Sequence, residues 1–515
     1  GEALDIAAEK LGAYRGDEVA SVGGANNTNE EAFVLGKFMR WVVGSNHVDA
    51  QIGDGIDPRF AAAVEPRATI SDLDTAGTIL VWGPDVKETL PVLYLRIRKA
   101  VRNGANLVVA SPAGTGLDGI ATSVVRYRAG SGSDVLRKLA AGDSDYASAR
   151  EVLGEGPVVA LVGRSSLAED PALVEAVMAF ALTLPDAKLM TLLTRSNVYG
   201  ALDMGLAPSL LPGRASTSDE DLRDALEDAW GVLPDHPGKS TPEVFGSLKN
   251  GDMKALLLVG SDPVRDCPAP SAARSALEGA EFVLAVDAFI TDSSAYADVI
   301  LPAAVWGEVD GTVTNLEGRV QRVRPSTAPP GQARPLNAVL DDLAHRMGVE
   351  LGSAKVADVS SEISEVAPAY RGVTIDYLTF EGGDEGTLVP LEGVDQPLRV
   401  PPADVSVRVI TDRMTLHLAR SLYDQGTWNS HAETIKDLNR TATARIHPRD
   451  ASVLAVSDGD VVAIGETYQL PVVVDPEVAV GSVVVPFNQP ETIGLTAAAS
   501  VSVDPVRASE NRSAT

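Results

Sequence analysis

Residues Lys254–Asp287, KALLLVGSDPVRDCPAPSAARSALEGAEFVLAVD, decide the fold. The apolar run Lys254 to Gly260 is followed by the turn Ser261, Asp262 and Pro263, by a helical pattern from Ala269 to Leu277, and at once by a second apolar run, Phe282 to Asp287. A strand with one wet face alternates apolar and polar residues, whereas a strand buried on both faces need not, and these two do not. Strand, helix and strand at this spacing form the unit of a parallel sheet covered by helices.

Outward from this stretch the unit recurs. Val19 to Gly23 precedes a helical pattern from Thr28 to Val43, Thr78 to Trp82 precedes Val86 to Arg102, and Val158 to Gly163 precedes Pro171 to Leu184. About eight strands over roughly 300 residues, with a loop-rich interval from Asn197 to Lys249, fit two sheets better than one. From Gly348 to Val405 the pattern gives way to acidic, Gly- and Pro-containing text such as FEGGDEG at Phe380 to Gly386, which reads as a linker. Beyond it, Ala444 to His447, Val461 to Ile464, Leu470 to Val474 and Ser482 to Pro486 predict a small β-barrel of closely spaced hairpins, with a frayed tail from Asp504. The expected fold class is α/β, with two Rossmann-like α/β/α domains and a C-terminal small β-barrel.

Composition excludes several functions. With 71 acidic residues against 43 Lys and Arg, a formal charge of -28, the chain lacks the cationic surface that nucleic acid or an anionic membrane demands. No apolar run is long enough to span a bilayer. The single cysteine, Cys267, rules out a disulfide framework or a four-thiolate cluster within these residues, and an inert buried thiol is expected. His47, His236, His345, His417, His431 and His447 are scattered without paired metal-ligand spacing. The start, Gly1 to Lys10, reads as an acidic amphipathic helix without the basic region of a signal peptide, and is expected to continue a longer chain.

Two glycine-rich loops invite a ligand. Gly114, Gly116 and Gly119 make a formal GxGxxG, but strand-like residues follow where the dinucleotide fingerprint needs a helix, so a chance turn is expected. The loop Arg128-Ala129-Gly130-Ser131-Gly132-Ser133-Asp134 precedes a helix from Val135 to Ala141, with Ser133 or Asp134 as its cap, and such an N-terminus attracts anions. No nucleophile elbow or Walker loop occurs.

Five collinear segments carry a family resemblance. They are TNEEAFVLGKFMR at Thr28–Arg40 with GSNHVD at Gly44–Asp49; NVYGALDMGLAP at Asn197–Pro208, followed by Leu211-Pro212-Gly213; VGSDP at Val259–Pro263; Val286 to Pro335, with Glu308, Asp310, Asn315, Glu317 and Arg319 in one loop region; and RIHPRDA at Arg445–Ala451 with Gly459-Asp460-Val461. In this order they resemble the molybdopterin oxidoreductase family, and the Arg128 loop is similar to one of its ligand loops. The resemblance implies a formate dehydrogenase- or DMSO reductase-like architecture. It comprises a discontinuous Rossmann-like domain at 1–46 and 200–350, an inserted α/β/α domain at 47–199, an acidic linker at 351–404 and a barrel of molybdopterin-dinucleotide-binding type at 405–515. It further implies that Asn46, Asp49, Arg128, Gly130, Gly260, Pro263, Asp298, Gly311 and Asn315 line a vestigial pterin cleft.

One departure bears on activity. Catalytic members similar to formate dehydrogenases supply a metal-binding Cys and a neighbouring His just after Asp49, where this chain reads Ala50-Gln51-Ile52-Gly53-Asp54-Gly55-Ile56. Without a soft ligand, molybdenum chemistry is hard to assemble. A body of this family lacking the ligand resembles the large G subunits of bacterial NADH-quinone oxidoreductases, respiratory complex I. That resemblance implies a scaffold with no catalytic or metal-binding residue and no cofactor of its own, iron-sulfur clusters in a preceding part, and other peripheral-arm subunits as partners. It places the chain on the cytoplasmic side of the plasma membrane. The alternatives are a molybdenum or tungsten enzyme such as a formate dehydrogenase α chain, carrying molybdopterin guanine dinucleotide with Asp54 as ligand, and a binding module for another nucleotide.

Overall fold

The computed structural model describes residues 1–62, 65–389, 413–497 and 500–506. They fall into two compact units, one taking Gly1–Arg67 and the chain from Leu193 to Val389, the other Ala68–Leu192 and the chain from Arg413 on.

In the first unit five parallel strands lie in the order Val299–Pro302, Phe282–Asp287, Ala255–Val259, Val19–Gly23, Val48–Asp49. Side chains alternate across a strand. Ala20, Val22, Leu256, Leu258, Val283 and Ala285 therefore share one core with helices Thr241–Asn250 and Pro270–Gly279. The intervening Val19, Leu257, Leu284 and Val286 are buried as well, which is why these strands read as continuous apolar runs. Helix Leu336–Arg346 packs on both Glu2–Gly12 and Asn29–Lys37. The strand order reverses between Val19–Gly23 and Ala255–Val259. Loops leaving such a switch point in opposite directions open a crevice at the carboxyl ends of the strands; here Gly23, Gly24 and Gly260 stand at its mouth.

In the second unit the parallel order is Ser123–Arg126, Asn106–Ser111, Thr78–Trp82, Val158–Gly163, Lys188–Leu192, with its own switch point between the third and fourth strands. A six-stranded sheet follows in the order Thr415–Ala419, Ser482–Pro486, Ala444–Ile446, Tyr468–Val474, Val461–Ile464, Val503–Pro505, and a bridge between Met414 and Val501 joins its two edges. It is not the run of hairpins the spacing predicts. Val461–Ile464 and Tyr468–Val474 form a hairpin, but Thr415–Ala419 pairs in parallel with Ser482–Pro486, and Ala444–Ile446 in parallel with Tyr468–Val474. Helix Pro448–Leu454 follows Ala444–Ile446, and the next strand along the chain, Val461–Ile464, does not pair with it.

The expected linker is corrected over 351–389. Helices Val356–Val366 and Ile375–Phe380 and strand Thr387–Leu388 form there, burying Leu351, Val359, Ile363, Tyr370, Ile375, Leu378 and Val389. The remainder of that linker, 390–404, and positions 405–412, 498–499 and 507–515 of the expected barrel and tail lie outside the described residues. The loop-rich interval is corrected too, since Val198–Asp203, Glu220–Trp230 and Thr241–Asn250 are helices. The predicted helix Thr28–Val43 runs as an α-helix over Asn29–Lys37 and then widens to a π-turn over Phe38–Val43.

Candidate functional site

The TNEE segment starts a helix and binds its surroundings together. Thr28 caps the helix by accepting from Glu31 N, and the Glu31 carboxylate returns the bond to Thr28 N at 3.0 Å, a reciprocal capping box. The other Glu31 oxygen accepts from Leu336 N at 2.8 Å, so one side chain serves the first turns of two helices. Asn29 donates to the hydroxyls of Thr312 and Thr314, at 3.0 and 2.9 Å, on the hairpin Gly311–Thr314/Arg319–Val323. Asn197 donates to Asn27 O and Asn29 Oδ1 and accepts from Thr314 N at 2.8 Å. The chain of bonds continues through Tyr370, which meets Thr314 Oγ1 and donates to Asp203 Oδ2, and ends in the buried bidentate Arg214–Asp203 pair. Gly200 is required beside it, because a Cβ there would stand 1.9 Å from Asn29 Oδ1.

Glu30 receives Thr312 N at 2.7 Å and Thr312 Oγ1 at 2.9 Å. Burial dominates and pushes its carboxyl up to about 7, despite those donors and the charge of Arg322. Gly311 lets the hairpin approach, since a Cβ would lie 2.8 Å from Glu30 Oε2 and Thr28 Cβ.

The loop after Asp49 closes on itself. Asp49 accepts from Gln51 N and, at 2.9 and 2.7 Å, from Thr241 N and Oγ1, capping the helix Thr241–Asn250. The Gln51 side chain spans the loop, donating to Ile56 O at 2.8 Å and accepting from Ile56 N at 3.2 Å. A Cβ on Gly55 would come within 1.6 Å of Gln51 Oε1. Asp54, with its side chain 6% exposed, pairs with Arg195 at 3.0 Å, and Arg195 is held in turn by Gln51 O and Asp266 O. The donors that could face a metal here are thus a carboxylate neutralised by a guanidinium and an amide turned to the backbone. These residues do not fit a protein-held metal.

The other positions from the sequence are dispersed. Gly260, at φ +54, receives Asn26 Nδ2 on its carbonyl at 2.9 Å, and buried Pro263 starts the short helix after it, so both stand at the switch-point crevice. Asn46 lies at the amino end of the Val48–Asp49 strand, clamped by Arg40 Nε at 2.8 Å and by Pro234 O and His236 O. Asp298 precedes the Val299–Pro302 strand and accepts from Val283 N at 2.8 Å, at the amino end of the sheet. It therefore lies at the opposite end of the sheet from Gly260, and the two expected cleft residues are not brought together. Asn315 closes the hairpin turn by accepting from Glu317 N and Arg319 N.

In the second unit the Arg128 loop opens helix Gly132–Ala141, where Ser131, and not Ser133 or Asp134, holds the N-cap position without a side-chain capping bond, its hydroxyl donating to Arg128 O at 2.6 Å; Asp134 pairs with Lys138 at 2.9 Å. The amides that would meet a phosphate are taken. The buried Glu169 carboxylate accepts from Gly130 N at 2.7 Å and Gly132 N at 3.2 Å. Arg128 Nε reaches Thr415 Oγ1 at 3.2 Å. The turn at Gly114–Gly119 leads into strand Ser123–Arg126, as expected of a chance GxGxxG. Cys267 is buried and its thiol is pushed up to about 12. Burial lowers His47 and His417 to about 4, and His417 Nδ1 lies 2.9 Å from Ser166 Oγ. The bonding roles of Gln51, Asn197, Glu169 and Tyr370 were not visible in the sequence, although Asn197 opens a motif and Gln51 lies in the loop after Asp49, because each partner lies far along the chain or within an ordinary-looking turn.

Two doubly wound parallel sheets with switch-point crevices and a closed mixed sheet define a multidomain α/β protein. A family model described as Molybdopterin oxidoreductase matches residues 1–346, and the chain belongs to that family. It is similar to the second of the NADH-quinone oxidoreductase G subunits of Rhizobium meliloti, 28% identical over 90% of this chain and 58% of that protein. The NADH-quinone oxidoreductase G subunit of Streptomyces coelicolor is 30% identical over 90% and 56%. The F420-dependent formate dehydrogenase 2 subunit alpha of Methanococcus maripaludis is 27% identical over 90% and 79%. The chain thus spans somewhat more than half the length of these two NADH-quinone oxidoreductase relatives. Its fold is shared with acetylene hydratase from Pelobacter acetylenicus, with a TM-score of 0.62 at 16% identity over 96% of this chain and 84% of that one. Among the described residues, no helix is long and apolar enough to cross a membrane.

Proposed function

We propose that this chain is the body of a subunit of an NADH:quinone oxidoreductase. It supports electron transfer from NADH to quinone as a scaffold in the peripheral arm and has no active site of its own. The observation that carries this is the self-closed loop at Gln51–Ile56, where Gln51 fills the space beside Gly55 and Arg195 neutralises Asp54. Glu169 on the helix amides of the Arg128 loop supports it, because a fixed carboxylate there opposes a phosphate. Cofactors are proposed to lie elsewhere, as iron-sulfur clusters in a preceding part of the protein, with the other peripheral-arm subunits as partners on the cytoplasmic face of the bacterial plasma membrane.

A catalytic reading as a molybdenum or tungsten formate dehydrogenase α chain is favoured by the larger share of such a relative that the chain covers, 79%. It would need Asp54 to leave Arg195. Metal and cofactor analysis of the full-length protein, purified with its subunits, separates the two. The scaffold predicts iron without molybdenum or tungsten; stoichiometric molybdenum or tungsten with a guanine-dinucleotide pterin would overturn it.

A further inference from the structure

Helix Pro91–Arg102, PVLYLRIRKAVR, covers the second unit's sheet with Leu93, Ile97 and Ala100. Its other face is unusual for this protein. Val92 is 69% and Leu95 60% exposed, and they alternate at helical spacing with the exposed Arg96 and Arg102. Lys99 lies on the same face, paired with Asp74 at 2.9 Å, and Arg98 stacks over Tyr94. No acid occurs from Thr89 to Leu117, in a chain with 71 acids against 43 Lys and Arg. At the helix start Glu88 accepts from the backbone of Leu422 at 3.0 Å, and Leu422 is itself exposed, so a further aliphatic side chain borders the same end.

Adjacent aliphatic side chains edged by arginine, on a surface otherwise acidic, have the composition of an interface and not of a solvated face. We infer that the Val92–Leu95–Arg96–Arg102 face is a docking surface for a partner polypeptide, and that the segment it receives is acidic and bears aliphatic side chains. The inference rests on the subunit reading above. The charge of the face selects that occupant. Two copies meeting through the same patch would set Arg96 and Arg102 against themselves, and a bilayer of anionic lipid would have to approach a protein of net charge -28.

The test is made in the assembled complex purified from its host. A benzophenone amino acid placed at position 92 or 95 should, on irradiation, cross-link to one acidic, aliphatic-bearing peptide of another subunit. The same probe at the exposed Val453 should not. Separately, V92D/L95D and R96E/R102E should each lower retention of the full-length subunit in the complex at least tenfold at moderate salt, with unchanged melting temperature of that full-length subunit. Cross-links to a second copy or to lipid, or variants retained at full stoichiometry in an otherwise intact complex, overturn the docking surface and leave the subunit reading standing. An unaltered chain that purifies with no other subunit overturns the subunit reading, and this one with it.

Discussion

Gln51 places its amide where a side chain at position 55 would start, 1.6 Å from that Cβ, and bonds both backbone groups of Ile56. The loop is thus stabilised by the arrangement that leaves no room for a metal-binding thiolate. Gly55→Cys must expel Gln51, stranding Ile56 N–H and C=O in a buried turn, and is expected to destabilise the first unit by about 1–3 kcal/mol. Adding Gln51→Ala frees the space, so the double variant should be less destabilised than the sum of the single changes. Urea midpoints of the four proteins measure this, and additivity would show that Gln51 does not occupy the site. The sequence marked the stretch after Asp49, which includes Gly55, as lacking a metal ligand but was silent on what fills the space there, because a glutamine bonding five residues on leaves no pattern.

At the scale of elements, the start of helix Asn29–Lys37 is joined to the Gly311–Thr314 hairpin through a carboxyl held neutral by burial. Glu30 is raised to about 7 in the folded protein against 4.5 for an ordinary glutamate. The folded state therefore holds a proton that the unfolded chain has released, and stability falls as pH rises from about 4.5 to about 7, by about 3 kcal/mol in total. Below that window the contribution is fully present. Glu30→Gln keeps an acceptor for Thr312 N without the ionisation. Its stability relative to the parent should rise across pH 5 to 7 and level off above; a constant difference in urea midpoint would refute the assignment.

The elements themselves were largely legible. Ala255–Val259 and Phe282–Asp287 stand within the two apolar runs of the opening stretch, because burial on both faces removes polar residues from a strand. Helix Val356–Val366 was hidden, since Asp358, Ser360, Ser361, Glu362 and Ser364 crowd the two apolar positions, Val359 and Ile363, that its packing buries. Pairing in the mixed sheet was illegible for another reason: parallel contacts such as Thr415–Ala419 with Ser482–Pro486 join strands distant in sequence, and local turn signals cannot report them. The surroundings of motif residues were illegible in a third way. Nothing in their motifs shows that the side-chain oxygen of Asn46 accepts from Arg40, or that the side-chain oxygen of Asn315 accepts from the hairpin turn.

Across the whole chain, charge opposes compactness. The excess of acids leaves a net charge of -28 that no set of internal pairs can cancel, and its repulsion acts over distances longer than a hydrogen bond. The pairs that hold the fold are short and shielded: Arg214 with Asp203 at 2.5 Å, both nearly unexposed, Lys37 with Glu362 at 2.7 Å, and Arg195 with Asp54 at 3.0 Å. Salt screens the first kind of interaction more than the second, because at physiological ionic strength the screening length is about 8 Å, whereas buried partners touch. Raising NaCl from about 10 to about 150 mM should therefore increase the melting temperature by a few degrees, with KCl giving the same increase. Replacing Arg195 with Met should lower the melting temperature by a similar amount at both salt concentrations, since it strands Asp54 in the buried loop. A melting temperature that falls with salt would mean that exposed pairs, such as Lys254–Glu281, carry more of the stability than the excess charge removes.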